Sequence, residues 1–258
     1  MAVLVDVAQL SHGYLAENDG KWRPVLHDIS FHVRLGECLG IIGESGSGKS
    51  TLGRLLLGLE TPNSGCVTLA GLPIGTPRRF WSCRRHAQPR VSAVFQDYTS
   101  SANPAMTIRE IVAEPLRVRG VTRREDIRLQ VAALLEQVGL ASDLSERFPH
   151  QLSGGQMQRV CIARAIACQP AFIVLDEAVS ALDVSVQLQV LDLLVELRER
   201  LGLTYLFISH DLAAIAYLCQ RVIFLQSGRI IERVDDMKLL GQVQHPYAQK
   251  LLQSVMTF

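Results

Sequence analysis

Short apolar runs that end on glycine or a polar residue recur along this chain, and stretches of helical spacing lie between them. Val3 to Leu10 reads as an opening strand. Cys38-Leu39-Gly40-Ile41-Ile42, Val94-Phe95, Phe172-Ile173-Val174-Leu175 and Leu206-Phe207-Ile208 are continuous apolar runs, the pattern of strands buried on both faces in a parallel sheet. Leu52 to Leu59 reads as a helix. From about Thr99 to Gln151 the strand-like runs give way to helical spacing, as at Ile127, Val131, Leu134, Leu135 and Val138. The pattern predicts an α/β chain with a mixed-sheet core and a helical insertion.

The residues that end these runs carry the chemistry. Gly43-Glu44-Ser45-Gly46-Ser47-Gly48-Lys49-Ser50-Thr51 lies between a strand and a helix, which is the context a phosphate-binding loop requires. Its glycines let the backbone turn tightly and point N–H groups inward, and the following helix directs its positive end to the same place. In this motif Lys49 reaches the β- and γ-phosphates, Ser50 ligates Mg²⁺, and Thr51 adds an α-phosphate contact. The run Phe172 to Leu175 ends in Asp176-Glu177, where Asp176 is placed to hold the Mg²⁺ shell and Glu177 to act as general base on the attacking water. An Asp-Glu pair by itself is weak, since a solvated turn also follows many strands. Gln96 and His210 end two further runs. Gln96 can bond both the metal shell and the attacking water, and His210 can donate to a γ-phosphate.

Leu152-Ser153-Gly154-Gly155-Gln156 lies between the phosphate loop and Asp176. With that segment in place, nearly the whole chain resembles the ATP-binding cassette ATPases. The resemblance implies a P-loop nucleotide-binding domain: residues 1–98 and 152–235 as the ATP-binding core, RecA-like with a β-subdomain. It also implies an α-helical subdomain at 99–151 and a short helical tail at 236–258. Leu152 to Gln156 is then the signature loop, Gln96 the Q-loop residue, Ser180-Ala181-Leu182-Asp183 the D-loop, His210 the switch histidine and Tyr14 the adenine-stacking aromatic. A core or loop tyrosine is the competing role for Tyr14. Ser153, Gly154 and Gly155 open a helix through Met157 to Cys161, an anion site without lysine. In the family it meets the γ-phosphate held by the opposite subunit, so hydrolysis needs a dimer.

Gln96 to Ile108, Glu114-Pro115-Leu116 and His245-Pro246-Tyr247-Ala248-Gln249-Lys250-Leu251-Leu252 resemble the peptide and nickel importer group. Leu175 to Asp183 resembles the second ATPase of nickel (NikE-like) or metal-opine systems. The resemblance implies ATP and Mg²⁺ as cofactors. As partners it implies a second ABC ATPase, commonly a different chain, with two transmembrane permease subunits and a substrate-binding protein. It places the chain peripherally on the cytoplasmic face of the inner membrane, with Thr99 to Glu114 as the permease contact. Nickel, a nickel chelate, a metal-opine and a short peptide stay open as cargo.

Composition adds limits. The 258 residues are 48% hydrophobic and 20% charged, enough for one large core or a core plus a subdomain. A formal charge of +1 does not imply nucleic acid. No window approaches the roughly 18–20 uninterrupted apolar residues of a membrane helix and no secretory leader opens the chain, so it is not expected to span the membrane. Six cysteines, Cys38, Cys66, Cys83, Cys161, Cys168 and Cys219, show no CxxC pair and are expected to be reduced and structural. Arg78, Arg79, Arg84, Arg85 and Arg90 form a basic stretch without an assigned role. A DNA-repair ATPase of the superfamily would split its halves around a long coiled coil, and a translation factor would carry two cassettes. A regulatory cassette would have lost Glu177, His210 or Ser153. An exporter cassette stays open, because the core motifs do not encode direction.

Overall fold

The computed structural model of the chain describes residues 2–15, 20–75, 90–96 and 101–256. Arg78, Arg79, Cys83, Arg84, Arg85 and the opening of the expected permease contact at Thr99 lie outside the described residues.

Two sheets organise the molecule. The first holds β1 (Val3–Leu15), β2 (Trp22–Arg34), β4 (Ser64–Leu69) and β5 (Leu72–Pro73) in the order β2-β1-β4-β5, all antiparallel. The second has the order β10-β9-β3-β8-β7-β6, with β3 (Cys38–Ile42), β6 (Val91–Phe95), β7 (Phe172–Asp176), β8 (Thr204–Ser209), β9 (Arg221–Gln226) and β10 (Arg229–Val234). Its neighbours are parallel except β9 and β10. The apolar runs fit this directly, since Cys38–Ile42 and Thr204–Ser209 are buried at every position, as strands covered on both faces must be.

The parallel sheet divides the core by strand alternation. Leu39 and Ile41, Phe172 and Val174, Leu206 and Ile208 face α1 (Lys49–Leu56) and the antiparallel sheet. Cys38 and Ile42, Ile173 and Leu175, Tyr205 and Phe207 face the helical side. That side holds α2 (Ile108–Val118), α3 (Arg124–Gln137), α4 (Gly154–Ala167), α5 (Val184–Leu201) and α6 (Leu212–Leu218). A last helix, α7 (Pro246–Met256), packs against α6.

The expected helical spacing falls on α3, where Ile127, Val131 and Leu135 are buried and Leu134 is partly buried. The α4 helix starts directly after the insertion and packs on α2 and α3. Two boundaries differ from the sequence expectation. The opening strand continues past Leu10 to Leu15, because register shifts and the left-handed Gln9 (φ 50°) let it bend and keep pairing with β2. The first helix stops at Leu56 and not Leu59, since Gly58 takes φ 70° and turns the chain.

Candidate functional site

Register alone gathers the candidate residues at one edge. In the parallel sheet Phe95 lies opposite Asp176, Asp176 opposite Ile208, and Ile208 opposite Ile41. The next residues along those strands therefore include Gln96, Glu177 and, one or two steps on, His210 and Gly43. All leave the sheet at its carboxyl edge, where α/β folds bind ligands.

The loop Gly43–Gly48 connects β3 to α1. A side chain at Gly43 would put its Cβ 2.2 Å from Leu225 O and 2.7 Å from Ser47 Oγ, so only glycine allows this approach. Gly48 caps α1 with φ 102°, a left-handed conformation glycine adopts without penalty. Lys49 is 7% exposed and folds back on its own loop, donating to Gly43 O at 2.7 Å and Glu44 O at 2.8 Å. Burial pulls its pKa down, and the Glu177, Asp176 and Glu44 carboxylates oppose this. The loop is braced from outside by Gly228 N–H donating to Ser47 O at 3.0 Å and Glu44 N–H donating to Tyr247 Oη at 2.7 Å.

Asp176 ends β7, and burial raises its carboxyl above the usual range. The Ser50 hydroxyl opposes that rise, Glu177 adds to it, and Lys49 opposes it. Its Oδ1 is buried without a hydrogen-bond partner. An orphaned carboxylate oxygen beside a serine hydroxyl is a donor set that fits Mg²⁺, a hard cation with a preference for oxygen.

Glu177 leaves the strand at φ 50°, and its N–H bonds Ile208 O at 2.9 Å. That left-handed step turns its side chain towards His210, whose Nδ1 is 2.9 Å from Glu177 Oε2. The two candidates are thus a pair, with Glu177 mostly buried and His210 exposed. Ser180 Oγ donates back to Glu177 O at 3.0 Å, tying the following loop to the strand end. Gln96 is exposed one residue past β6.

Tyr14 is also close to the phosphate loop. Its hydroxyl donates to Glu60 Oε2 at 2.6 Å and lies 3.4 Å from Thr51 Oγ1, and His12 meets its ring edge-on at 4.9 Å. Burial, then Glu60, raise its phenol pKa.

Ser153, Gly154, Gly155 and Gln156 form the N-terminus of α4. Ser153 Oγ accepts from Gln156 N–H at 3.3 Å while Gln156 Oε1 accepts from Ser153 N–H at 3.0 Å, a reciprocal cap. Ser153 is exposed. Gly155 lies against α5, where an added Cβ would meet Val186 Cγ1 at 2.4 Å. Asp183 caps α5 by accepting from Val186 N–H at 3.0 Å. Among the described residues no hydrogen bond joins Ser153–Gln156 to Gly43–Thr51. The phosphate loop, Asp176, Glu177, His210, Gln96 and Tyr14 gather at one place, and Ser153–Gln156 with Asp183 form a second, helix-capping place. Motif order did not reveal the bracing by Gly228 and Tyr247, although His245-Pro246-Tyr247 stands out in the sequence.

A glycine loop between a buried strand and a helix, facing a carboxylate pair at the same sheet edge, defines a P-loop nucleoside triphosphatase. The chain belongs to the ABC transporter family, whose profile matches residues 26–180. It is 42% identical over 257 residues to the metal-staphylopine import system ATP-binding protein CntF of Staphylococcus aureus strain Mu50, covering 99% of this chain and 100% of that one. The Brucella ovis protein BOV_A0347, named for peptide import, is 46% identical over 233 residues, 90% of this chain and 72% of its own length. The dimeric ATP-binding cassette MJ0796 bound to ADP and Pi shares the fold at TM-score 0.77 and 29% identity, covering 90% of this chain and 98% of that one. CbiO1 of Clostridium perfringens, part of the transporter complex cbiONQ, shares it at TM-score 0.78 and 26% identity, covering 99% and 95%. The fold is that of an ABC ATPase cassette, and its activity is ATP hydrolysis.

Proposed function

We propose that the chain is the ATP-hydrolysing subunit of an ABC importer that takes up a metal chelate of the opine kind, with nickel or short peptides as the competing cargo. The observation that carries the ATPase part is the convergence of Gly43–Thr51, Asp176, Glu177, His210 and Gln96 at one edge of the parallel sheet. The cargo rests on the names of the similar proteins, which specify metal-staphylopine and peptide import. The domain division in this reading has 1–98 and 152–235 as core and 99–151 as helical subdomain; what supports it is that the described residues from 101 to 151 hold helices and no strand.

In this reading the loop amides and Lys49 cradle the phosphates of ATP, and Tyr14, beside Thr51, stacks on the base. Ser50, Asp176 and Gln96 would hold Mg²⁺, which when bound would supply charge neutralisation for the phosphates. Glu177 orients and deprotonates the attacking water. His210 holds Glu177 in place through the 2.9 Å contact of its Nδ1 with Glu177 Oε2, and its role as switch is to donate to the γ-phosphate. The amides of Ser153, Gly154 and Gly155, with Gln156, offer an anion site to the nucleotide of a second cassette, and Asp183 shapes the loop beside it. Partners are that second ATPase, two permease subunits and a substrate-binding protein, with the cytoplasmic face of the inner membrane as location. Among the described residues no helix is long and apolar enough to cross a membrane, so attachment runs through the permeases.

The test is ATPase and uptake by the reconstituted complex against Ni²⁺, metal chelates and di- to pentapeptides. Stimulation by chelated metal is expected. Stimulation by peptides alone moves the chain to peptide import, and a Lys49→Ala complex as active as wild type refutes the loop assignment.

A further inference from the structure

The His245-Pro246-Tyr247 element takes no part in the nucleotide chemistry so far described, yet it is fastened with care. The Glu232 carboxylate on β10 accepts from Gln244 N–H at 2.7 Å and His245 N–H at 3.0 Å. His245 Nδ1 accepts from Tyr247 N–H at 3.2 Å, and Gln249 Nε2 donates to Val243 O at 3.0 Å. Val243 and Ala248 are buried on either side. The result is a tyrosine 7% exposed whose hydroxyl accepts from Glu44 N–H at 2.7 Å.

The bonded group is the Gly43–Glu44 peptide. Its carbonyl, Gly43 O, accepts from Lys49 Nζ at 2.7 Å, while its N–H donates to Tyr247. A peptide unit is a rigid plane, so fixing both polar groups fixes the orientation of the whole unit at the entrance of the loop. Two bonds in series through one amide also strengthen each other. Burial holds the Tyr247 phenol above its ordinary pKa, against the opposing pull of the Glu44 amide. It stays a neutral acceptor throughout the working pH range.

We propose that Tyr247 is a positioning residue for ATP: its hydroxyl holds the Gly43–Glu44 peptide in the phosphate-receiving orientation. Lys49 uses two of its three N–H donors on Gly43 O and Glu44 O, so the third is free for a phosphate oxygen while the carbonyl stays held. The tyrosine bond makes no demand on the nucleotide and persists. Since α7 also packs against α6, which Asp211 caps one residue after His210, the C-terminal helix spans from the phosphate loop to the helix that follows the switch histidine. The inference rests on the assignment of Gly43–Thr51 as the phosphate-binding loop.

Binding of a fluorescent ATP analogue to the full chain, and steady-state hydrolysis by the assembled transporter, are compared for wild type, Tyr247→Phe and Gln249→Ala. Tyr247→Phe keeps the buried ring and removes one hydrogen bond, so Kd and KM for ATP rise roughly threefold to tenfold, with kcat changed by less than about twofold. Gln249→Ala removes only the bond to Val243 O, while Glu232 and His245 still hold the turn that carries Tyr247, and leaves KM unchanged. Equal KM in Tyr247→Phe and wild type overturns the proposal. So does an equal rise in Gln249→Ala, which would trace the loss to helix packing. If Tyr247→Phe does not fold, hydrogen exchange of the Glu44 amide in the wild type decides: protection supports the bond, and exchange at the unstructured rate overturns it. A wild type that binds no ATP overturns the loop assignment itself, and Tyr247 with it.

Discussion

Gly155→Ala tests how the two capped helices meet. An added methyl would lie 2.4 Å from Val186 Cγ1, where ordinary contact begins near 3.4 Å. The N-termini of α4 and α5 must therefore separate by about 1 Å. Valine has one strongly preferred rotamer in a helix and cannot swing aside cheaply. Overpacking of this kind costs about 1–3 kcal/mol, which for a chain of this length lowers Tm by roughly 2–10 °C. The displacement falls on the helix end that Ser153 caps, so hydrolysis drops while ATP binding at the distant Lys49 is retained. Thermal unfolding of the chain and ATPase of the assembled transporter are measured for Gly155→Ala, Val186→Ala and the double variant. Val186→Ala removes the colliding atom, so the double variant recovers most of the lost Tm and activity, with a coupling of about 1–2 kcal/mol. A double variant as unstable and inactive as Gly155→Ala would refute the steric account and place the defect in the methyl group's exposure to nucleotide.

Three further outcomes are expected. Glu177→Gln keeps ATP bound and lowers steady-state phosphate release by about 10²- to 10⁴-fold, and release near the wild-type rate excludes Glu177 as the base. Asp176→Asn abolishes hydrolysis but raises the Tm of the nucleotide- and magnesium-free chain at neutral pH, because burial raises the Asp176 pKa. The folded state binds that proton more tightly, so wild-type stability from this group is present below the ordinary carboxylate pKa and lost as pH rises through the raised one; a Tm difference that shrinks with rising pH contradicts this. Glu37→Ala removes one of the two carboxylates on buried Arg221, 3.1 Å away, and leaves Asp235 at 2.9 Å and His32 O at 3.2 Å, so it costs about 1–3 kcal/mol by urea titration. Replacing the pair together as Glu37→Met with Arg221→Leu recovers much of it, and an equal loss in both variants shows that the remaining partners, Arg34 N–H and Asp235, dominate.

The strands were legible because a buried parallel strand must be apolar at every position, and Phe172 to Leu175 or Leu206 to Ile208 leaves no other economical packing. The phosphate loop was legible for a related reason. Gly46 and Gly48 answer to local backbone geometry, at φ 80° and 102°, and mark it before any tertiary contact exists, whereas Gly43 answers to the close approach of Leu225 O. Boundaries set by long-range pairing were less visible: β1 runs on to Leu15 because β2 continues to pair with it, and no residue near Leu10 announces that. The pairing of His210 with Glu177 follows from the left-handed turn at Glu177, which a glutamate in a sequence does not advertise.

What the sequence by itself determined was the order of chemistry-bearing residues and the class of element each one ends, since hydrophobic period and the glycines of tight turns are local properties. Only the tertiary structure decided which of those residues meet. Strand order and register bring Gln96, Asp176, Glu177 and His210 to one edge from positions scattered over more than a hundred residues. Close packing sets Gly155 against Val186, and a helix near the end of the chain reaches back to the Glu44 amide. Such contacts depend on distances between segments remote along the chain, and those distances exist only once the core has closed.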